Sequence, residues 1–154
     1  MTRRALPAFA LPTVLTLACA LALGGCGQDA LSAAQLHARA SAICRRTAQA
    51  TDRIPTPSTP DQGGRFLAHG IARLRPAAAR LRALKPPHAV RARYERAVQL
   101  AGEEIALIDR HRLAIARGED PIATFRALDA ALEPLIAEEN AYWRGLDIPA
   151  CTRR

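Results

Sequence analysis

Apolar residues recur every three or four positions in four successive segments of this chain, and prolines or glycines separate the segments. This is the period of an amphipathic helix with one face in a core. Aromatic residues make up only 4% of the sequence, against 49% hydrophobic residues in total. Ala, Leu and Ile must therefore build the core, which favours helices over strands. We predict an all-α fold, an antiparallel four-helix up-down bundle with kinked helices.

The first helix is predicted to begin after Ser32, because Gln35 lies at the spacing of a capping box, and to stop near Thr51. A loop over residues 54–60 follows, since its three prolines disfavour a helix. Asp61 is predicted to open the second helix.

The third helix is predicted over residues 88–117, with Gly118 as its C-terminal cap. Asp120 followed by Pro121 is a strong start signal for the fourth helix, which is predicted to end at Gly145.

Two prolines lie inside predicted helices, Pro76 in the second and Pro134 in the fourth. Proline lacks the N–H that the helix needs and clashes with the preceding turn, so a kink is expected at each. The pair Gly63-Gly64 is assigned to the connection before the second helix.

The N-terminal segment has a different character. Arg3 and Arg4 precede an apolar run over residues 5–23, and the run ends in Leu23-Gly24-Gly25-Cys26. A basic start followed by an apolar stretch is the layout of a secretory signal. Here the cleavage region ends in a cysteine, and the segment resembles the lipobox of bacterial lipoprotein precursors.

The resemblance implies a diacylglyceryl group on Cys26, cleavage just before it, and acylation of the new amino end. The chain would then divide into a signal peptide over 1–25, a lipidated tether over 26–31 and a helical bundle domain over 32–151. Export and anchoring to the cell membrane through acylated Cys26, outside the cytoplasm, follow from the same resemblance. An uncleaved membrane helix and an ordinary cleaved signal are the alternatives.

Cys19 lies in the signal and Cys26 is the lipid site, which leaves Cys44 and Cys151. In an exported protein an even pair of cysteines favours a disulfide. The rival interpretation is a two-cysteine metal site, which needs nearby His or carboxylate ligands. Because only His37 and Asp147 lie anywhere near, we expect no metal site and no cofactor.

The formal net charge is +8, and loss of Arg3 and Arg4 with the signal leaves +6. Basic residues run from the second helix into the third without an acidic residue between 61 and 95. A solvated helix face is one interpretation. Contact with anionic phospholipid or an anionic envelope polymer is the other, and it involves Arg73, Arg80, Arg82, Lys85 and Arg91. Nucleic acid is not an expected partner, because the stretch lacks the interleaved aromatics of single-strand binding.

The sequence lacks the motifs G-x-S-x-G, H-E-x-x-H and C-x-x-C-H and has no glycine-rich phosphate loop. Two adjacent carboxylate pairs, Glu103-Glu104 and Glu138-Glu139, fall on the third and fourth helices. Such pairs can bind a cation across a bundle, but adjacent acidic residues on helices are usually surface charges. We expect no catalytic residues and no enzyme.

The mature part also resembles small uncharacterised helical lipoproteins of high-GC bacteria. The resemblance rests on loose motifs: Ala42-Ile43-Cys44-Arg45-Arg46, Leu81 to Pro87 with Tyr94, and Gly145-Leu146 leading to Cys151. It implies an exported helical bundle with a disulfide and no known activity. We therefore expect a lipid-anchored envelope protein of non-enzymatic interaction or scaffold type. The alternative is an envelope lipoprotein that binds a small ligand or metal, and an apolar cavity beside Pro76 or Pro134 would favour it.

Overall fold

A computed structural model describes residues 30–152 of the chain. The lipobox Leu23-Gly24-Gly25-Cys26 therefore lies outside the described residues. Within them the chain forms four α-helices joined by turns and no strand, so the predicted all-α fold is confirmed. The helices are α1 Ala33–Thr51, α2 Gly63–Arg82, α3 Arg91–Ala116 and α4 Pro121–Gly145, with 3₁₀ turns at Pro60–Gln62, His88–Val90 and Pro149–Cys151.

The order of contacts along the helices is consistent with the predicted antiparallel up-down arrangement. Residues late in α2 contact residues early in α3, and the sequence order is likewise reversed between α3 and α4. The contacts are Leu81 with Tyr94, Arg75 with Asp109, Arg96 with Glu138, and Arg93 with Gly145. Helix α3 packs most extensively against α4 and α2.

A tightly packed group of residues around Trp143 closes one end of the core. The Trp143 side chain is fully buried (0% exposed), and the Tyr94 ring meets it edge to face with centroids 5.8 Å apart. The Tyr94 hydroxyl donates a hydrogen bond to the Leu81 carbonyl at 2.8 Å, so its polar atom is satisfied inside the core. These contacts join α2, α3 and α4.

Helix α2 begins at Gly63, two residues later than predicted, and the prediction that Gly63-Gly64 precede the helix is wrong. Asp61 lies instead in a 3₁₀ turn that starts at Pro60. A Cβ atom on Gly63 would lie 2.5 Å from Cε2 of Phe125. Glycine at this helical position therefore allows α2 to approach α4 closely.

The two later helices end in the same hydrogen-bond pattern with different residues at its centre. Gly118 has φ +94°, and Glu119 N–H donates to Ala114 O across the end of α3, as predicted for a glycine cap. After α4 the left-handed residue is Asp147, with φ 56°, and not Gly145.

Helices α2 and α4 continue through Pro76 and Pro134 without a break. Each proline leaves one carbonyl four residues earlier without its helical donor, at Ala72 and Ala130. Both of these residues are exposed, so water can satisfy the two carbonyls.

The C-terminal tail returns to α1, and Cys44 and Cys151 lie at disulfide distance with their Cα atoms 5.0 Å apart. Ile148 is buried on the way, which fixes the tail against the core. The predicted pairing is therefore supported, and it closes a loop between residues 107 positions apart.

Candidate functional site

The described part of the chain starts beside the connection between α2 and α3. The backbone N–H of Leu31 donates a hydrogen bond to the carbonyl of Lys85 at 2.8 Å. Ser32 then caps α1 through the predicted box with Gln35, with hydrogen bonds of 3.2 and 2.9 Å. The point where the tether over 26–31 would join the domain is thus fixed next to Lys85.

The five basic residues predicted to face an anionic surface are all exposed. Arg80 and Arg82 occupy the last turn of α2, Lys85 lies in the connection, and Arg91 is the first residue of α3. Arg73 lies earlier in α2, about 10 Å from Arg80 at the helical rise. Four of the five residues therefore cluster at the end of the bundle where Leu31 lies.

The outer members of the two carboxylate pairs share one arginine. Arg96 contacts Glu138 at 2.9 Å and Glu103 at 3.1 Å. The hydrogen bond from Arg96 to Glu138, together with both negative charges, raises the pKa of the Arg96 guanidinium. The pair of Arg96 with Glu138 thus links α3 to α4 on the surface, while the pair with Glu103 lies within α3.

The inner members, Glu104 and Glu139, are buried, with exposed fractions of 4% and 1%. The expectation that both adjacent pairs are surface charges is wrong for these two residues. Their spacing from other core residues indicates burial. Glu104 lies three residues after buried Ala101, and Glu139 lies four residues before buried Trp143. Each glutamate therefore occupies a position in the buried stripe of its own helix.

Glu139 contacts the aromatic group of the core. Its Oε1 accepts a hydrogen bond from Nε1 of Trp143 at 2.7 Å. Burial raises the pKa of the Glu139 carboxyl to about 7, although the bond from Trp143 acts in the opposite direction. The group is therefore partly protonated near neutral pH.

Glu104 lines a cavity of about 200 Å³ between α1, α2 and α3. The rest of the wall is mainly apolar and includes Leu74, Ala77 and Ala78, which flank Pro76 on α2. The disulfide residues Cys44 and Cys151 also line it. The ligand-binding hypothesis calls for an apolar cavity beside Pro76 or Pro134, and this cavity lies beside Pro76.

Within residues 30–152, no three His, Cys, Asp or Glu side chains form a group that could hold a metal ion. Nor does any helix of that part of the chain have the length and apolar character to cross a membrane.

The chain matches no protein-family model, no curated protein and no solved structure.

Proposed function

We propose that the chain is an exported protein that acylated Cys26 anchors to the cell membrane, and that its helical domain is an interaction or scaffold module rather than an enzyme. The disulfide-distance pair Cys44 and Cys151 supports export, because such bonds persist in oxidising compartments. It also leaves Cys26 as the single remaining cysteine of the mature sequence.

The observation that carries the proposal is the hydrogen bond from Leu31 to Lys85, since it joins the anchor side of the domain to its basic end. Five peptide units join Cys26 to Leu31, and a fully extended chain of that length spans about 17 Å. An acylated Cys26 would therefore hold Lys85 close to the lipid headgroups.

The neighbours Arg80, Arg82 and Arg91 would then face the same headgroups. A basic residue near an anionic membrane surface contributes about 1 kcal/mol of attraction. The acyl chains supply attachment, so the basic end sets the orientation of the bundle on the membrane. The opposite end of the bundle is left to face outward.

Processing of a Cys26→Ser variant tests the anchor. We expect this variant to remain at precursor mass and to take up no radioactive fatty acid, because the thiol that receives the lipid is gone. Cys19→Ser is the matched control, since it removes a thiol from the signal itself and should be labelled and cleaved normally. Normal labelling of the Cys26 variant would rule out the anchor.

The orientation is tested by hydrogen exchange of the lipidated protein on phosphatidylcholine vesicles with and without phosphatidylglycerol. Amides of residues 82–91 should exchange more slowly on the anionic vesicles, and the triple variant Arg82→Gln, Lys85→Gln, Arg91→Gln should lose this protection. The control neutralises three exposed arginines near the other end of the bundle, Arg65, Arg110 and Arg126. Equal protection in both triple variants would contradict the proposed orientation.

A further inference from the structure

The cavity between α1, α2 and α3 has the size of a small-molecule site. Its volume is about 200 Å³, and an apolar cavity of about 150 Å³ is enough to hold benzene. Thr47, Ala48 and Leu74 in its wall are only half-buried, so the cavity reaches the protein surface between α1 and α2. A ligand can therefore enter without opening the bundle.

The polar groups of the wall favour a ligand that donates hydrogen bonds. The Thr47 hydroxyl donates to the Ile43 carbonyl at 2.9 Å, and the Thr51 hydroxyl donates to the Ala48 carbonyl at 2.9 Å. Both hydroxyl protons are therefore committed to α1, and the oxygen atoms present acceptor lone pairs. Glu104 adds a carboxyl group to the same wall.

The charge of the wall excludes an anionic ligand. Of the residues that the structure describes, none of those lining the cavity is Lys, Arg or His. A carboxylate or phosphate would have to enter an apolar space beside Glu104 without a partner, which is strongly unfavourable. An ammonium group would meet a buried carboxyl group and gain a charge-assisted hydrogen bond.

We propose that this cavity is a binding site for a small organic amine, whose ammonium group lies at Glu104 and whose apolar body fills the space between Leu74, Ala78 and Ile105. Binding of an amine in this cavity is independent of the membrane anchor. An apolar body of roughly the size of a substituted benzene ring matches the volume.

Calorimetric titration tests the proposal with three molecules that share a phenylethyl group and differ in the group at its end: 2-phenylethylamine, propylbenzene and 3-phenylpropanoate. The purified full chain is used, in nanodiscs where the lipid anchor requires them, and titrations into empty nanodiscs correct for partition into lipid. We expect the amine to bind about tenfold more tightly than the hydrocarbon, because of the charge-assisted bond. The carboxylate should bind most weakly.

Two pairs of variants locate the site. Glu104→Gln keeps the shape of the side chain and should weaken amine binding about tenfold, whereas Glu103→Gln next to it should not. Ala48→Leu places a larger side chain in the wall and should abolish binding of the amine and the hydrocarbon. Ala38→Leu makes the same change at an exposed position of α1 away from the cavity and should leave binding intact.

Four results would overturn the proposal. If the hydrocarbon binds as tightly as the amine, or Glu104→Gln changes nothing, the cavity does not select amines. If Ala48→Leu retains binding, the ligand occupies another place. If none of the three molecules binds a chain whose helicity is intact, the cavity is not a site for this class of ligand.

Discussion

At the scale of single residues, the two buried glutamates distinguish this bundle from one held together by apolar packing alone. A carboxylate in a core costs free energy unless it is hydrogen-bonded or protonated. Glu139 meets both conditions, through Nε1 of Trp143 and through a pKa raised to about 7. The stability of the fold therefore depends on the proton at Glu139.

We predict that the free energy of unfolding falls as the pH rises from 4.5 to about 7, the interval between the ordinary and the folded pKa of Glu139. In this interval the unfolded chain loses the Glu139 proton while the folded chain keeps it, so unfolding is favoured. The loss amounts to at most about 3 kcal/mol. Above the folded pKa it levels off.

Urea denaturation of wild type and Glu139→Gln over this pH range measures the effect. The variant keeps an oxygen that accepts from Trp143 but cannot ionise, so the difference between the two proteins should grow with pH. Glu133→Gln, an exposed change on the same helix, should follow wild type. Parallel pH profiles for wild type and Glu139→Gln would show that Glu139 does not carry the dependence.

Periodicity alone places Glu104 and Glu139 on buried stripes, but residue type argues for the surface. Both residues are buried in the structure, so at these two positions the period of the helix predicts burial better than the residue type does. For Glu139 the reason is physical, since its Oε1 accepts a hydrogen bond from the indole N–H of Trp143 inside the core. This partnership depends on side-chain directions, which the sequence does not specify.

At the scale of helices, the starts and ends show what local chemistry decides. The Ser32 cap, the Asp120 cap and the Gly118 termination are confirmed, because each depends on hydrogen bonds within a few residues. Gly63 is different, since its place inside α2 is explained by the Phe125 ring on another helix. A contact of that kind cannot be read from neighbouring residues.

The end of α4 is also decided by local hydrogen bonds, but the residue at its left-handed position is an unusual one. Ile148 N–H donates to Trp143 O and Asp147 N–H donates to Arg144 O, which places Asp147 where glycine is the common choice. Asp tolerates the left-handed conformation better than most residues. The prediction that α4 ends at Gly145 is confirmed, although the left-handed residue lies two positions later, and the Gly145 carbonyl accepts a hydrogen bond from Arg93.

Two glycine-to-alanine changes should have opposite effects on stability. Gly118→Ala places a Cβ at φ +94° and should lower the free energy of unfolding by about 1–2 kcal/mol. Gly70→Ala lies inside α2, where a Cβ would meet nothing within 4 Å, and should raise it by up to about 1 kcal/mol. Thermal or urea denaturation of the two variants checks the signs. A stabilised Gly118→Ala would contradict the role of Gly118 as a left-handed cap.

At the scale of the whole molecule, the sequence predicted the pairing of Cys44 with Cys151 because these two cysteines remain once Cys19 is assigned to the signal and Cys26 to the lipid. The helical rise fixes how far Cys44 lies along α1, and the length of the tail after Gly145 fixes how far Cys151 can return. No comparable argument from the sequence predicts the cavity beside the disulfide. It depends on how α1, α2 and α3 pack together and on the small alanines in its wall, which only the packed structure reveals.

Reduction of this disulfide is expected to destabilise the domain strongly. In the chain-entropy model, a bond that closes a loop of 107 residues stabilises the fold by about 4–5 kcal/mol. Urea denaturation of wild type with and without dithiothreitol should show a large drop in the transition midpoint. A double variant, Cys44→Ser and Cys151→Ser, should unfold near the reduced midpoint and should not respond to the reductant.

The same experiment distinguishes the stability contributed by the disulfide from the stability contributed by the core around it. Cys151 is buried beside Ile148 and Trp143, so a serine there also removes apolar contacts. Cys44→Ala with Cys151→Ala keeps more of the apolar character and isolates the effect of the cross-link. If this alanine variant matched oxidised wild type in stability, the bond would contribute little, and burial of Ile148 and Trp143 would hold the tail against α1.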